Sequence, residues 1–204
     1  MTATSSKRVA LCSVWLLVVT AGTVAFWNYG STAGSSGTTP QKWPAGISFS
    51  LDPAHDTLLM FAHPQCACTR ASLEELNQLM AQCQGKVVAH VLFFTPNKFS
   101  ETWAHSQLHD SAAAIPGVVV HEDLNGKIAE RFGAETSGYV VLYNPQGQLL
   151  FHGGITGSRG HAGDNAGQST LIALLNGRNA AARQTPVYGC SLLDRMLPAT
   201  NAAP

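Results

Sequence analysis

The sequence predicts an α/β domain, with a central mixed sheet flanked by helices, that follows one N-terminal membrane-spanning helix. The membrane helix is indicated by residues 9–27, which are almost entirely apolar and contain no charged residue. The α/β class is indicated by apolar runs of strand length that alternate with segments of helical periodicity and end in a hairpin pattern. Two cysteines, Cys66 and Cys68, mark the point where a buried strand changes into a helix.

The orientation of the membrane segment follows from its flanking charges. Residues 9–27 are long enough to cross a bilayer as a helix. Lys7 and Arg8 precede this segment, and the next basic residue is Lys42. Because basic residues favour the cytoplasmic side of a membrane, residues 1–8 are expected in the cytoplasm and the rest of the chain outside it.

A cleaved signal peptide is the alternative interpretation of this segment, because Ala21 or Ala25 can end a small-x-small cleavage site. A retained anchor is favoured, since the apolar run continues through Phe26 and Trp27. An aromatic pair of this kind suits the membrane–water interface. We therefore expect one membrane span followed by an exported domain.

Charge and compartment restrict the classes of function. The chain has 12 basic and 12 acidic side chains among 204 residues, whereas nucleic-acid binding calls for a basic face. Nothing in the sequence indicates a nucleic-acid partner. Disulfides persist outside the cytoplasm, and the four cysteines of the exported part have three alternative pairings: Cys66, Cys68, Cys83 and Cys190.

Composition divides the exported part into three regions. Residues 28–46 are rich in glycine, serine and threonine, which is typical of a flexible tether. Residues 47–177 carry the strand and helix patterns of the domain. Residues 178–204 form an alanine- and proline-rich tail, in which 185–193 stand out as a compact group of turn-forming and apolar residues. A flexible tail has no need of such a group, which suggests that Cys190 returns to the domain and pairs with or resolves a motif thiol. The alternative is a Cys190 that is unpaired or linked to Cys83.

The elements of the domain are predicted from periodicity and from turn-forming residues. A helix capped by Thr69, or by Ser72 in a capping box with Glu75, is expected to follow the cysteines and to end at Gly85. The other expected elements are strands at 47–51, 57–62 and 87–95, a helix over 100–114, a hairpin of 139–143 and 148–152, and a final helix from Ser169.

The two motif cysteines are expected at a position that activates a thiol. The first turn of a helix offers free backbone N–H groups and the positive end of the helix dipole, which together stabilise a thiolate at Cys66 or Cys68 and lower its pKa. Arg70 is expected to add to this effect. His63 and Pro64 complete a compact cluster at the end of the strand.

The segment Phe61–Ser72 resembles the active-site segment of the thioredoxin superfamily, in which a strand ends in a cysteine motif that opens the first long helix. Residues 115–133 and the hairpin at 139–152 are similar to the corresponding parts of membrane-anchored bacterial thioredoxin-like proteins. The similarity covers roughly residues 47–177. It implies a thioredoxin-like fold, a single-pass location in the bacterial inner membrane and a domain in the periplasm.

Two features depart from the pattern of that family. The motif is Cys-x-Cys rather than Cys-x-x-Cys, and Thr136-Ser-Gly138 stands where the family has a proline before the penultimate strand. A disulfide between Cys66 and Cys68 would close a small ring and strain the usual geometry. Since strained disulfides are more oxidising, such a couple is expected to oxidise or isomerise partners rather than reduce them.

A glycine-rich stretch, residues 153–167, follows the last expected strand. In the thioredoxin fold that strand ends on the same side as the cysteine motif, so the resemblance implies that this stretch lies over the active site. It would then be a lid that brings Arg159 or His161 to the thiols. The alternative is a solvated connection in which Asp164 caps the next helix.

Two functions from different classes are consistent with these residues. The first is disulfide exchange with a protein thiol or disulfide partner in the extracytoplasmic space, without a cofactor. Cys66 is the expected nucleophile, because it precedes the helix and is expected to be more exposed than Cys68. Either Cys68 or Cys190 is expected to resolve the mixed disulfide. Cys83 falls on the apolar stripe of the helix and is expected to be a core thiol.

The second function is the binding of a soft metal ion. Copper-delivery proteins of this superfamily combine two cysteines near the helix with a histidine from a later loop. In this chain Cys66, Cys68 and His161 resemble that set, and His63 is the alternative histidine. Thiolate and imidazole ligands suit copper(I) or zinc.

Overall fold

A computed structural model of the chain describes residues 3–96, 106–180 and 182–192, with side chains from residue 7 onward. The chain divides into two compact units, and the boundary along the sequence falls between Thr32 and Ala33. The first unit is a helix, and the second contains the sheet.

The first unit consists of helix α1, Ala3–Ser31. Its segment Lys7–Ser31 has a mean hydropathy of 2.2, and its apolar side chains are exposed. A helix of this length and composition is able to cross a membrane, and a signal sequence has the same properties. The N-terminal segment is therefore a candidate membrane anchor or signal sequence.

The second unit combines strands and helices in alternation. The strands are β1 (Asp56–Ala62), β2 (Val87–Thr95), β3 (Val118–Leu124), β4 (Tyr139–Tyr143) and β5 (Leu149–Gly154). The helices are α2 (Ala67–Gln82), α3 (Gln107–Ala113), α4 (Lys127–Phe132) and α5 (Ala166–Leu175). The strands expected at 57–62 and 87–95 and the hairpin are therefore present, with small shifts at their ends.

The sheet has the strand order β3-β2-β1-β4-β5. Strands β1, β2 and β3 are parallel to one another, whereas β4 is antiparallel to β1 and β5 is antiparallel to β4. A mixed sheet of this order with helices on both faces is a thioredoxin-like fold, so the predicted fold class is confirmed. Because β1 is the central strand, the cysteine motif at its end lies in the middle of one edge of the sheet.

Successive side chains of β1 point to opposite faces of the sheet, and each face has its own hydrophobic core. Leu58 and Met60 belong to the core that α2, α3 and α5 cover, whereas Leu59 and Phe61 belong to the core that α4 covers. All four side chains are fully buried. This burial on both faces explains why the strand is an uninterrupted apolar run in the sequence.

The strand expected at 47–51 is not formed, and this segment is fully described. Its apolar side chains instead pack on the core that α4 covers. The Phe49 ring also stacks on the rings of His90 and His121, with centroids 4.7 and 4.6 Å away. Alternate residues thus face the core without a strand partner, which produces the same sequence pattern as a strand.

The segment expected to be a flexible tether, residues 28–46, differs from that expectation: its first four residues belong to α1, and the chain from Gly34 onward is hydrogen-bonded to the sheet unit. Three of its backbone N–H groups donate to carbonyl oxygens of the sheet unit at 2.8 Å: Gly34 to Val187, Gly37 to Gly133 and Trp43 to Gly147. The buried Thr39 hydroxyl lies 2.5 Å from the Tyr139 hydroxyl. Glycine and serine leave an isolated chain flexible, but they also permit the close backbone approach that is found here.

Two helices begin earlier than the sequence predicts. The N-cap of α2 is Cys66 rather than Thr69 or Ser72. The final helix begins at Ala166 rather than Ser169. Its cap is Asn165, not Asp164, and the Asn165 side chain accepts a hydrogen bond from the Gln168 N–H at 2.8 Å. Part of the helix expected over 100–114 lies outside the described residues, and Gln107–Ala113 is helical.

Candidate active site

Cys66 lies at the N-terminal end of α2, just after the central strand. Its backbone is extended, with φ −89° and ψ 118°, as is usual for an N-cap. Its N–H donates to the His63 carbonyl at 3.1 Å, and its own carbonyl accepts from the Thr69 N–H at 3.0 Å. The turn therefore holds the Cys66 sulfur beside the N–H groups that the first turn of a helix leaves free.

The pKa of the Cys66 thiol is lowered to about 4, first by the hydrogen bond between the Cys66 and Cys190 sulfur atoms. Backbone N–H groups of Cys190, Cys68 and Thr69 lower this pKa further, and burial opposes them. The lowered pKa favours the thiolate, which is the nucleophilic form of cysteine, at Cys66 rather than at Cys190.

Cys190 lies against Cys66 although the two residues are 124 positions apart in the chain. Their Sγ atoms are 2.7 Å apart, so a disulfide requires only a small further approach. The pKa of the Cys190 thiol is raised, first by its hydrogen bond to Cys66 and then by burial. The pair thus consists of a thiolate and a protonated thiol in direct contact.

The C-terminal strap, which we define as residues 183–192, lies along the edge of β5. The His152 N–H donates to the Arg183 carbonyl at 3.0 Å, and the Thr185 N–H donates to the His152 carbonyl at 3.2 Å. A Cβ at Gly153 would lie only 2.2 Å from the Thr185 carbonyl oxygen. The strap therefore approaches β5 closely because glycine leaves room for it, and it covers an edge strand.

The end of the strap pairs with the segment that precedes β4. The Ser137 N–H donates to the Cys190 carbonyl at 2.9 Å, and the Leu192 N–H donates to the Glu135 carbonyl at 2.8 Å. A Cβ at Gly189 would lie 2.0 Å from the Ser137 carbonyl oxygen, so this contact also requires glycine. The backbone on both sides of Cys190 is thereby fixed, and its sulfur is held at the start of α2.

Ser137 occupies the triplet that departs from the thioredoxin pattern, and it joins three parts of the site. Its buried hydroxyl accepts from the His63 N–H at 2.9 Å and lies 2.8 Å from the Thr69 hydroxyl oxygen. The Thr69 hydroxyl in turn donates to the His63 carbonyl at 3.2 Å. The turn before α2, the helix itself and the strap are therefore linked through one serine.

Cys68 is partly exposed and completes a cluster of three sulfur atoms, all within 4.8 Å of one another. The pKa of the Cys68 thiol is raised, first by burial and then by the negative charge of the Cys66 thiolate. Arg159 and the Gly160 N–H oppose this rise. Cys68 is therefore less acidic than Cys66 and is the weaker candidate for a thiolate nucleophile.

The glycine-rich loop, which in the structure is residues 155–165 between β5 and α5, lies over the thiols. The Gly160 N–H contacts the Cys68 sulfur, and the Arg159 guanidinium donates to the Gly189 carbonyl of the strap. The charge of Arg159 also lowers the pKa of Cys190, against the larger effects that raise it. The loop thus contributes one cation to the site and one hydrogen bond that positions the strap.

Glu75, a buried carboxylate on α2, anchors this loop. It is fully buried, and its oxygens accept from the Gly163 N–H at 2.6 Å and from the Asn165 side-chain N–H₂ at 3.1 Å. Sequence reasoning assigned Glu75 to a capping box with Ser72 and missed this role, because a helical glutamate is usually exposed. The helix that presents Cys66 therefore also holds the loop that carries Arg159.

The remaining residues of the expected cysteine cluster have structural positions. The His63 carbonyl and its Nδ1 atom accept backbone N–H groups of Cys66 and Gln65, the latter at 3.1 Å. Pro64 is buried in the same turn. Arg70, which was expected to lower a thiol pKa, is exposed and is not among the groups that shift the pKa of Cys66.

The group of residues that could hold a metal ion in the structure differs from the one that the sequence suggested. Cys66, Cys68 and His161 do not form a compact group, whereas Cys66, Cys68 and Cys190 do, among the residues that the structure describes. His161 lies in the glycine-rich loop, where its N–H donates to the Ser158 carbonyl at 3.3 Å. The sequence suggested a histidine of the glycine-rich loop as the third ligand, whereas the third member of the group in the structure is a cysteine of the strap.

The exposure of the cysteines differs from the expectation as well. Cys66 is 1% exposed, Cys68 is partly exposed and Cys190 lies at the surface. Cys66 is therefore not the more exposed member of the motif pair, because Cys190 covers it. Cys83 is fully buried in the core beside α2, as expected of a core thiol.

Comparison with protein-family models and with curated proteins gives no match. Two solved structures share the fold at 18% identity: an uncharacterised conserved protein from Geobacillus kaustophilus and a hypothetical protein from Sinorhizobium meliloti. The first match covers 80% of this chain and 96% of that chain with a TM-score of 0.62, and the second covers 79% and 93% with a TM-score of 0.56.

A secreted disulfide oxidoreductase from Mycobacterium tuberculosis matches at 16% identity over 61% of this chain and 82% of that chain, with a TM-score of 0.42. At these identities the similarity concerns the fold. The function of this chain is therefore argued from its own site.

The first prediction concerns Gly189. In Gly189→Ala the new Cβ would collide with the Ser137 carbonyl, so Cys190 is expected to move away from Cys66. Since the Cys190 thiol is the largest contributor to the low pKa of Cys66, that pKa should rise towards the ordinary range of cysteine. The measurement is a pH titration of thiolate absorbance, with Cys66→Ser as the blank.

Gly157→Ala is the matched control for this experiment. It adds the same methyl group to the neighbouring loop, where the nearest atom would be 4.0 Å away. The pKa of Cys66 should be unchanged in this variant. A folded Gly189→Ala protein that also kept the low pKa would contradict the role that we give to the strap.

Proposed function

We propose that the chain is a thiol–disulfide oxidoreductase that acts outside the cytoplasm, is held at the membrane by α1, and uses Cys66 and Cys190 as its redox couple. The proposal depends on one observation, the contact at 2.7 Å between the sulfur atoms of Cys66 and Cys190. A stabilised thiolate beside a protonated thiol is the arrangement that closes and opens a disulfide.

In the reaction the protein and a partner protein exchange a disulfide for a pair of thiols, and two electrons pass between them. When a partner dithiol is oxidised, the Cys66–Cys190 disulfide breaks and a partner disulfide forms through a mixed disulfide. The two electrons of the partner dithiol then reside on Cys66 and Cys190; one proton is held by Cys190, and the other is released to solvent because Cys66 remains a thiolate. The reverse sequence reduces a partner disulfide and restores the Cys66–Cys190 bond.

The environment of Cys66 favours oxidation of the partner. Its thiolate is stabilised by the Cys190 thiol and by the N–H groups at the start of α2. Stabilisation of the thiolate stabilises the reduced form of the couple, and a stable reduced form makes a disulfide more oxidising. The expected oxidising character thus has a cause other than ring strain in a Cys66–Cys68 disulfide.

Placement of the domain outside the cytoplasm is supported by the charges around α1. Lys7 and Arg8 precede the apolar segment, and basic residues favour the cytoplasmic side. An oxidising compartment is also where a Cys66–Cys190 disulfide would persist. We therefore propose a single-pass protein of the bacterial inner membrane whose domain lies in the periplasm.

The second prediction tests the redox couple by disulfide exchange with a fluorescent peptide disulfide. Because both sulfur atoms take part in the reaction, Cys66→Ser and Cys190→Ser should each slow exchange by about 100-fold or more. Peptide mapping of the oxidised wild-type chain should find the Cys66–Cys190 bond. Cys68→Ser is the matched control, since it removes the neighbouring thiol, and it should retain most of the activity.

The opposite pattern would contradict this assignment. If Cys68→Ser loses exchange while Cys190→Ser retains it, the couple is Cys66–Cys68. The strap would then have a structural role only.

The alternative function is the binding of copper(I) or zinc, and the cluster of three sulfur atoms supports it. Cys66, Cys68 and Cys190 offer three soft ligands within 4.8 Å of one another, and such ligands suit both ions. Cys66 is already a thiolate, and the other two would have to lose a proton on binding. The redox proposal is favoured because the raised pKa of Cys68 and of Cys190 opposes that loss.

The third prediction separates the two functions. Reduced full-length protein, purified without oxygen, should contain less than one equivalent of copper or zinc if exchange is the function. A full equivalent that is lost in Cys190→Ser and kept in His161→Ala would instead identify a metal-binding protein with three thiolate ligands. His161→Ala is the matched control, because His161 lies outside the sulfur cluster.

The fourth prediction concerns the membrane. The full chain should sediment with membranes and remain there during carbonate extraction, since the apolar segment Lys7–Ser31 is long enough to cross the bilayer. A form that begins at Ala33 should remain in the soluble fraction. A soluble product that is shorter than the full chain would contradict the anchor and support a cleaved signal peptide.

A further inference from the structure

We propose that the partner protein forms its mixed disulfide with Cys190 on the strap, and that Cys66 is the sulfur that leaves. This inference rests on the proposed function, because it requires a Cys66–Cys190 disulfide. It reverses the expectation from the motif, in which the cysteine at the helix start bonds to the partner. The strap would then carry a catalytic residue and would also be the surface that the partner contacts.

Access to the two sulfur atoms is the first argument. Cys66 is 1% exposed, whereas Cys190 is clearly more exposed to solvent. In thiol–disulfide exchange the attacking sulfur approaches in line with the bond that breaks. Attack on Cys190 comes from the side opposite Cys66. Attack on Cys66 would have to come from the side opposite Cys190, where almost no surface of Cys66 is open to solvent.

The leaving group is the second argument. The sulfur with the lower pKa leaves faster, and the pKa of Cys66 is lowered to about 4 by the Cys190 thiol and by N–H groups that include those of Cys68 and Thr69. Two of those N–H groups belong to α2 and remain in place when Cys190 bonds to a partner.

Charge at the surface is the third argument. Arg159 donates to the carbonyl of Gly189, next to Cys190 in the chain, and its charge lowers the pKa of Cys190 and Cys68. A partner thiolate that approaches Cys190 from solvent therefore meets a cation. The glycine-rich loop thus has a specific part in the proposal, which is to hold Arg159 beside the strap.

The atoms and electrons balance in two steps. A partner thiolate attacks the Cys190 sulfur, a bond forms between them, and the bond to Cys66 breaks with its electron pair on Cys66. The second thiol of the partner then loses its proton to solvent and attacks the first partner sulfur. Cys190 leaves and takes up a proton, so the partner holds a disulfide and the chain holds the Cys66 thiolate and the Cys190 thiol.

One competing route is visible in the structure. An open groove of about 350 Å³ lies beside the start of α2, and its wall includes Pro64, Gln65, Arg70 and part of Cys66. A partner that entered this groove and displaced the strap would form its mixed disulfide with Cys66. The two routes differ in which cysteine holds the partner, which is a measurable difference.

The experiment uses the full-length chain in detergent, oxidised and mapped by mass spectrometry before the reaction. A biotinylated peptide with a single cysteine is added, the mixture is quenched with acid at a series of short times, and the peptide-bearing cysteine is identified. The earliest product should carry the peptide on Cys190, with Cys66 as a free thiol, in at least about 10-fold excess over peptide on Cys66.

Cys68→Ser is treated in parallel, because Cys68 could otherwise move the peptide between neighbouring sulfur atoms. In this variant too, the earliest product should carry the peptide on Cys190. A first product on Cys66 or Cys68, or a mapped Cys66–Cys190 disulfide with which the peptide does not react, would overturn the inference while leaving the redox couple intact. Absence of the Cys66–Cys190 disulfide from the oxidised chain would overturn the proposed function as well.

Discussion

The contact between the Cys66 and Cys190 sulfur atoms joins the start of the first long helix of the sheet unit to a strap near the end of the chain. The low pKa of the Cys66 thiol depends first on this contact. Each partner is fixed separately, Cys66 by the turn at His63 and Cys190 by its pairing with the segment before β4. The site is therefore preorganised by the fold before any disulfide forms.

Three parts of the chain that are far apart in sequence cooperate to hold this contact. Ser137 bonds to the turn before α2 and to the strap. Glu75 holds the glycine-rich loop on α2, and Arg159 extends from that loop to the strap. A thiolate in a buried position needs donors on several sides, and these linked segments supply them from different elements.

The sequence was sufficient for the fold and for the place of the cysteine motif, because both depend on local patterns. Leu58 to Phe61 are apolar on both faces of a strand, and the helical period that follows the cysteines is regular. The strap was not predictable in its position, because its pairing depends on the absence of a Cβ at Gly153 and Gly189. Glu75 was assigned to its own helix, since nothing local shows that a loop 88 residues later covers it.

A Cys66–Cys190 bond would close a loop that contains every strand from β2 to β5, and this has a thermodynamic consequence. Closing a loop of more than about 100 residues removes enough entropy from the unfolded chain to stabilise the folded state by about 5 kcal/mol in the chain-entropy model. In the folded protein this gain is opposed by the stabilisation of the Cys66 thiolate, which favours the reduced form. Loop closure makes the disulfide harder to reduce and the stabilised thiolate makes it easier to reduce, so the potential of the couple is set by the difference between these two effects.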